Sequence, residues 1–217
     1  MTIATYTQLQ AAVTEWLARD QDATLIARIP TFIQFAEAKF NRELFVRQME
    51  TRATALVDML STEPEFISLP SDFQSMRRIR LSGATGKPTI EFKSQAGLDA
   101  YRLSIDNVSA QPEYFTITGD EIELAPTPNA VFTIEMVYRK TIPPLASNAT
   151  NWLLTMAPDL YLYGALLESA PYIKEDGRIQ TWGLGFTTAL NGLNELSRAA
   201  SIYTDGPTRL RFSGPTP

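Results

Sequence analysis

Neither cysteine nor histidine occurs anywhere in the 217 residues. Without cysteine, disulfides, iron–sulfur clusters and zinc–thiolate sites are excluded. Without histidine the commonest general base and metal ligand is missing, and Ser-His-Asp and Cys-His nucleophile chemistry goes with it. The chemistry that survives belongs to carboxylates, lysine, tyrosine or an oxygen-ligated metal. Long apolar runs are missing as well. No stretch approaches the roughly 18 residues that a membrane-spanning helix needs, so no membrane contact is expected. The opening MTIATYTQLQ has neither a charged start nor an apolar core, so no secretory signal is expected there. Basic excess is also lacking. The 19 Lys and Arg face 24 Asp and Glu, for a net charge of -5, whereas general nucleic-acid binding needs a basic footprint.

What is present is an ordinary folded composition, 44% hydrophobic and 20% charged. A chain of this length buries enough apolar surface to fold without metal or disulfide. Residues 5–19 read as a helix. Thr5 can cap it, with Gln8 three residues on as in a capping box. Leu9, Val13, Trp16 and Leu17 fall on one face. A second helix covers 25–45, with its main part starting near Pro30. Ile26, Ile29, Ile33, Ala36, Phe40 and Leu44 form its apolar stripe, and Glu37, Lys39, Arg42 and Glu43 are expected on a solvated or subunit-facing surface.

From about 46 to 142 the helical period gives way to β signals. VRQMETRATALVDM, FISLP, MRRIRLS and TIEFKS read as strands, and QAGLDAYRLS at 95–104 as a short helix. The clearest local feature is a hairpin, YFTIT at 114–118 and EIELA at 121–125 around Gly119-Asp120. Glycine at the first turn position suits a type II′ loop. That register sets Ile117 opposite Ile122 and Phe115 opposite Leu124, with Thr116 and Glu123 on a wet face. After PTPNA the alternating VFTIEMVYRK is expected to complete an antiparallel meander.

Helix returns after 141–151. APDLYLYGALLESAPYI opens on Pro158 and should end or kink at Pro171. A last helix covers about 175–202, with Ile179, Trp182, Phe186, Leu190, Leu193 and Leu196 at helical spacing. Gly183, Gly185 and Gly192 weaken its propensity while permitting close packing. The expected fold is α+β: a bundle of N- and C-terminal helix pairs (1–48 and 146–204) with an inserted, mainly antiparallel β domain (49–145). An extended tail (205–217) follows.

Candidate sites follow from this layout. Arg78 and Arg80 share a strand face while Arg77 points away; they read as salt-bridge partners before they read as a phosphate contact. Glu121, Glu123 and Glu135 are expected together on the wet face of the meander, where adjacent carboxylates could bind Ca²⁺ or act as an acid/base pair. No EF-hand spacing supports the metal reading, and solubility alone explains alternating Glu. GATGKP is too short for a phosphate loop and has Pro88 where a hydroxyl residue is needed. No catalytic, metal or cofactor residue is therefore assigned. Tyr161, Tyr163, Tyr172 and Trp182, with Phe186 nearby, crowd one region and are the expected subunit-interface residues. In the tail, Leu210 and Phe212 alternate with Arg209 and Arg211, the pattern of an extended hook that docks on a neighbour.

Several stretches resemble the phage head-to-tail adaptor family. They are Asn151-Trp152-Leu153-Leu154, then Pro158-Asp159-Leu160-Tyr161-Leu162-Tyr163-Gly164-Ala165-Leu166, and Ala170 to Asp176. Tyr6-Thr7-Gln8-Leu9, Trp16-Leu17, Arg28-Ile29-Pro30, Arg47 to Ala53, Leu69 to Phe73, and Tyr138 with Ile142-Pro143-Pro144-Leu145 extend the likeness over roughly residues 3–203. The resemblance implies a structural virion protein made in the host cytoplasm, not an enzyme. It also implies a dodecameric homo-oligomeric ring that touches the portal protein on one side and tail or nozzle proteins on the other, with DNA passing through unbound. The C-terminal tail is the least matched part. Two other readings stand beside it: a tail tube or nozzle subunit, and a carboxylate-based tail-associated glycan hydrolase. The second would need two carboxylates about 5–10 Å apart in one cleft.

Overall fold

A computed structural model describes residues 2–82, 88–174 and 177–202. The tail residues Arg209, Leu210, Arg211 and Phe212, and the loop at 83–87, lie outside the described residues. The fold is α+β, and it divides into two units, one of residues 1–47 and 142–217 and one of 48–141.

The first unit is helical. Helix α1 (Tyr6–Leu17) starts at the expected capping box. The Gln8 N–H donates to Thr5 Oγ1 at 3.3 Å, and the Thr5 N–H donates to Gln8 Oε1 at 3.2 Å. A short turn α2 (Ala23–Ile26) is capped by Asp22, and α3 (Ile29–Glu43) then begins with Pro30 in its first turn, where a missing amide costs nothing. Leu9, Val13 and Leu17 are buried, as are Ile29, Ile33, Ala36, Phe40 and Leu44. Trp16 and Ile26, read from their spacing as core, lie at the edge of the stripe and are exposed. Asn151 caps a short helix α5 (Trp152–Met156), by accepting from the Leu154 N–H at 2.8 Å. Helix α6 (Pro158–Ile173) takes Pro158 at its start and carries Pro171 within its last turn. Helix α7 (Ile179–Ile202) buries Trp182, Phe186 and Leu190 but leaves Leu196 exposed.

Helix α6 is the centre of this unit, packed on α1, α3, α5 and α7. Its glycine permits that: a Cβ on Gly164 would stand 2.9 Å from the Phe40 ring and 3.2 Å from Ala36. Gly185 on α7 likewise lets the Tyr163 ring approach to 2.9 Å of where a Cβ would be. The far end of α3 is tied to α7 by Asn194, which donates to the Glu43 carbonyl at 3.1 Å and accepts from the Phe45 N–H at 2.8 Å.

The second unit holds two sheets. Strands β1 (Glu50–Val57), β7 (Phe132–Lys140) and β3 (Phe73–Ser82) form one, in the order β1-β7-β3 and wholly antiparallel. Strands β2 (Phe66–Ser68), β6 (Glu121–Ala125), β5 (Tyr114–Thr118) and β4 (Glu91–Phe92) form the other, in the order β2-β6-β5-β4, with β4 parallel to β5. Val57, Ile79, Leu81, Ile134, Met136 and Tyr138 of the first sheet share one core with Ile67, Phe115, Ile122 and Leu124 of the second. Tyr138 reaches across it, and its hydroxyl donates to Asp72 at 2.7 Å. Burial and the nearby Asp72 carboxylate push that phenol up to about 12.

The β5–β6 hairpin has the expected register, Ile117 to Ile122 and Phe115 to Leu124. Gly119 has φ 61 while Asp120 is not left-handed, as a II′ turn requires. Two expectations fail here. First, β7 does not join the hairpin as a meander; it pairs with β1 and β3 in the other sheet. Six residues, 126–131, separate β6 from β7, too many for a tight hairpin, and two are prolines without an amide to donate. Second, the face with Thr116 and Glu123 is dry, because α4 (Gln95–Ser104) lies over it and both residues are buried.

Candidate assembly surfaces

The carboxylates read from the sequence as one cluster are separated by the fold. Glu135 stands on the outer face of the first sheet, opposite Arg80 on β3 and Thr54 on β1, with Arg52 and Arg78 one register step away. Arg52 reaches it at 2.6 Å, Arg80 at 2.5 Å and Arg78 at 3.9 Å. The arginines cover it so fully that only 4% is exposed. Burial by itself would raise its pKa. Hydrogen bonds and charge from Arg52 and Arg80 outweigh that and hold the carboxyl below its usual range. Arg77 was expected to point away, but the register shifts between Met76 and Arg78, and this bulge breaks the alternation: Arg77 donates at 2.9 Å to Glu50, which lies on the same face as Arg52 and Glu135. These arginines are thus engaged with carboxylates, as expected of salt-bridge partners.

Glu123 sits in the second sheet and pairs with Arg102 of α4, whose other nitrogen donates to the Leu124 carbonyl at 2.8 Å; Gln95 donates to Glu123 at 2.9 Å. It serves as the anchor of α4. Glu121, at the start of the same strand, is exposed. Among the described residues no cluster of acidic side chains could hold a metal ion.

One buried carboxylate was misread from the sequence. The solvated or subunit-facing placement expected for Glu37 on α3 fails, because its side chain is buried within its own unit. It lies four residues after Ile33, on the same side of the helix, and that spacing was the available signal. The Leu145 N–H donates to its Oε1 at 2.8 Å and the Tyr161 hydroxyl at 3.1 Å; Asn151 in turn donates to Tyr161 at 2.7 Å and to the Pro143 carbonyl at 2.8 Å. Burial raises the Glu37 pKa, and these donors only partly offset it. The Tyr161 phenol is also raised, first by burial and then by the Glu37 charge. The network fastens the 142–151 loop to α3 and α6, which explains why Asn151 and Tyr161 stand where they do.

The four aromatic residues expected at a subunit interface divide. Tyr161 is wholly buried, edge-on to Phe40 at 4.9 Å between ring centroids, and Trp182 is buried as well, as is Phe186. Both spend their apolar surface inside their own unit, because α6 is covered on several sides at once. Tyr163 is half-buried, edge-on to Trp16 at 5.9 Å. Tyr172 is exposed and leans on Phe32 at 5.8 Å. Other apolar side chains on the surface of this unit are Phe35, Phe45, Leu184 and Leu196. None of them stood out in the sequence as surface, since a helical stripe does not mark its own edges.

The surface also has a charge-poor stretch. Along α7 the exposed residues include Thr181, Leu184, Thr188, Asn191 and Leu196, with few charges among them. Helices that face only water carry more charge than this. No helix among the described residues is long and apolar enough to cross a membrane.

The comparison with curated proteins finds no match. The comparison with family models gives one: the model described as SU10 adaptor protein matches residues 4–211. That span takes in nearly all of both units and every stretch of the resemblance, but stops one residue short of Phe212 in the tail. The Pro158–Leu166 run now has a physical meaning, because it supplies the start of α6, the Tyr161 hydrogen bonds and the Gly164 contact with Phe40. The chain belongs to the SU10 adaptor protein family, a phage head-to-tail adaptor family.

Proposed function

We propose that the protein forms a homo-oligomeric, dodecameric ring at the head–tail junction of a virion. The portal protein lies on one side and tail or nozzle proteins on the other. The observation that carries this reading is the family match across 4–211. The exposed Phe35, Phe45, Tyr172 and Leu184 fit it, since apolar surface of this kind is what neighbouring subunits cover. Tyr163 and Tyr172 remain the interface candidates of the original four. The net charge of -5 suits a channel through which DNA passes without being held.

The same reading gives the protein no catalytic step. Glu37, Glu123 and Glu135 each have structural partners, and they lie on separate elements. Arg209, Leu210, Arg211 and Phe212 form a docking arm on the portal or an adjacent copy. Ordering such an arm costs about 1–2 kcal/mol per residue, and two apolar side chains return about 1.5–3 kcal/mol each. One arm therefore binds weakly, and repetition around a ring makes attachment durable. The experiment is deletion of 205–217 followed by assembly on portal-bearing heads. Folded subunits that no longer attach are the expected result. Attachment at the normal level removes the arm from the account, and adaptor found along the tail rather than at the junction removes the ring.

A further inference from the structure

The β unit carries a protruding acidic, apolar tip at one edge and an arginine-rimmed apolar groove at the other. The tip is the 58–65 connection from β1 to β2. Met59 and Leu60 stand out from it, and Leu60 is 81% exposed, the most exposed of the large apolar side chains among the described residues. The loop is held in that shape locally. Asp58 accepts from the Leu60 N–H at 2.9 Å through its side chain and from the Ser61 N–H at 3.0 Å through its carbonyl. Its charged residues, Asp58, Glu63 and Glu65, are all acidic.

The groove, of about 490 Å³, opens between β3 and β4. Met76, Phe92 and Ile117 supply apolar lining, Arg77 and Arg78 stand at its rim, and Glu91 is the acidic residue there. Phe92 is 65% exposed, an aromatic ring left in water. Strand order places tip and groove apart. β1 and β2 are edge strands on one side of their sheets, while β3 and β4 are the edges on the other. A tip cannot reach the groove of its own chain across the sheets. A second copy, added in the same orientation, can present its tip there, and such a contact repeats head to tail, giving a ring where the rotation between copies closes.

We propose that Met59 and Leu60 of one copy seat in the Met76–Phe92–Ile117 groove of the next, with Asp58 and Glu63 facing Arg77 and Arg78. The contact rests on the ring reading and specifies how adjacent β units recognise one another. Opposite charge steers the approach and sets the register, and the two apolar side chains cover surface that is otherwise wet. Arg77 and Arg78 already have carboxylate neighbours in Glu50 and Glu135, but both remain at least half exposed and can share a further anion.

The absence of cysteine makes the test clean. Leu60→Cys combined with Thr89→Cys, an exposed position on the groove, is assembled on portal-bearing heads and mildly oxidised. A ladder of covalent multimers is expected on a non-reducing gel. Leu60→Cys with Leu103→Cys, on the far side of α4, is expected to stay monomeric. Leu60→Asp, checked for native folding by circular dichroism, is expected to lower ring assembly at least about tenfold, since it places a charge in an apolar seat. Rings whose Leu60/Thr89 pair stays reduced, and which tolerate Leu60→Asp, overturn this contact and leave the ring reading standing. A cross-link to a different virion protein overturns it too, by giving the groove to another partner. Particles without any adaptor ring defeat the ring reading and this contact together.

Discussion

At the residue scale the helical unit turns on the Glu37–Tyr161–Asn151 network. Its carboxylate is an acceptor for two buried donors, so removing it strands both. Glu37→Ala is expected to cost about 1–3 kcal/mol in urea unfolding. Glu37→Gln keeps an acceptor and should cost far less. Because burial raises the folded pKa of Glu37, its contribution is fully present below the unfolded value near about 4.3 and is lost as pH rises through the higher folded value. Glu135 has the opposite sign. Its folded pKa is lowered, so its contribution is present above the unfolded value and is lost as pH falls through the folded one. Trp16, Trp152 and Trp182, the three tryptophans, all lie in the helical unit. Tryptophan fluorescence should therefore show that unit gaining stability as pH falls from neutral toward the unfolded value near about 4.3, with the gain abolished in Glu37→Gln. Amide exchange in β1 and β3 should instead show the β unit weakening only below about pH 4.3, and Glu135→Gln should remove that limb. The sequence pattern alone showed Arg78 and Arg80 on one strand face. It did not show their partner, because Glu135 is brought opposite them only by a pairing between strands more than fifty residues apart.

At the element scale, local chemistry was legible wherever it is closed within a few residues. Thr5 with Gln8, Pro30 in a first turn, the 95–104 helix and the Gly119 hairpin all have their causes within one turn of chain. The meander expectation failed because strand alternation fixes which face a residue takes but not which strand it meets. Glycines show the same limit. Their presence in α6 and α7 was visible, but only packing separates their roles. Gly164→Ala sets a Cβ against Phe40 and should cost about 1–3 kcal/mol by overpacking. Gly192→Ala meets nothing within 4 Å and should gain about 0.5–1 kcal/mol from helix propensity. Thermal unfolding of the two variants should therefore move in opposite directions. Replacing the α1 cap, Thr5→Ala, is expected to lose about 0.5–2 kcal/mol.

At the scale of the whole molecule, the Asn151–Leu154 and Pro158–Leu166 motifs prove to be folding instructions for the helical unit. Tyr161 and Trp182 were read as surface for a reason that generalises: crowded aromatics on two helices look excessive until a third and fourth helix are seen to cover them. Much apolar surface remains outside, among it Phe35, Phe45, Tyr172 and Leu184 on the helical unit and Leu60, Phe92, Leu56 and Leu103 on the β unit, and assembly must explain how much of it is covered. The measurement that bears most directly on the account is image averaging of intact virions at the head–tail junction, with the chain identified by an N-terminal label. A single labelled ring of twelve copies below the portal is the expected result. Label distributed along the tail, or a junction without a closed ring of this chain, would contradict it.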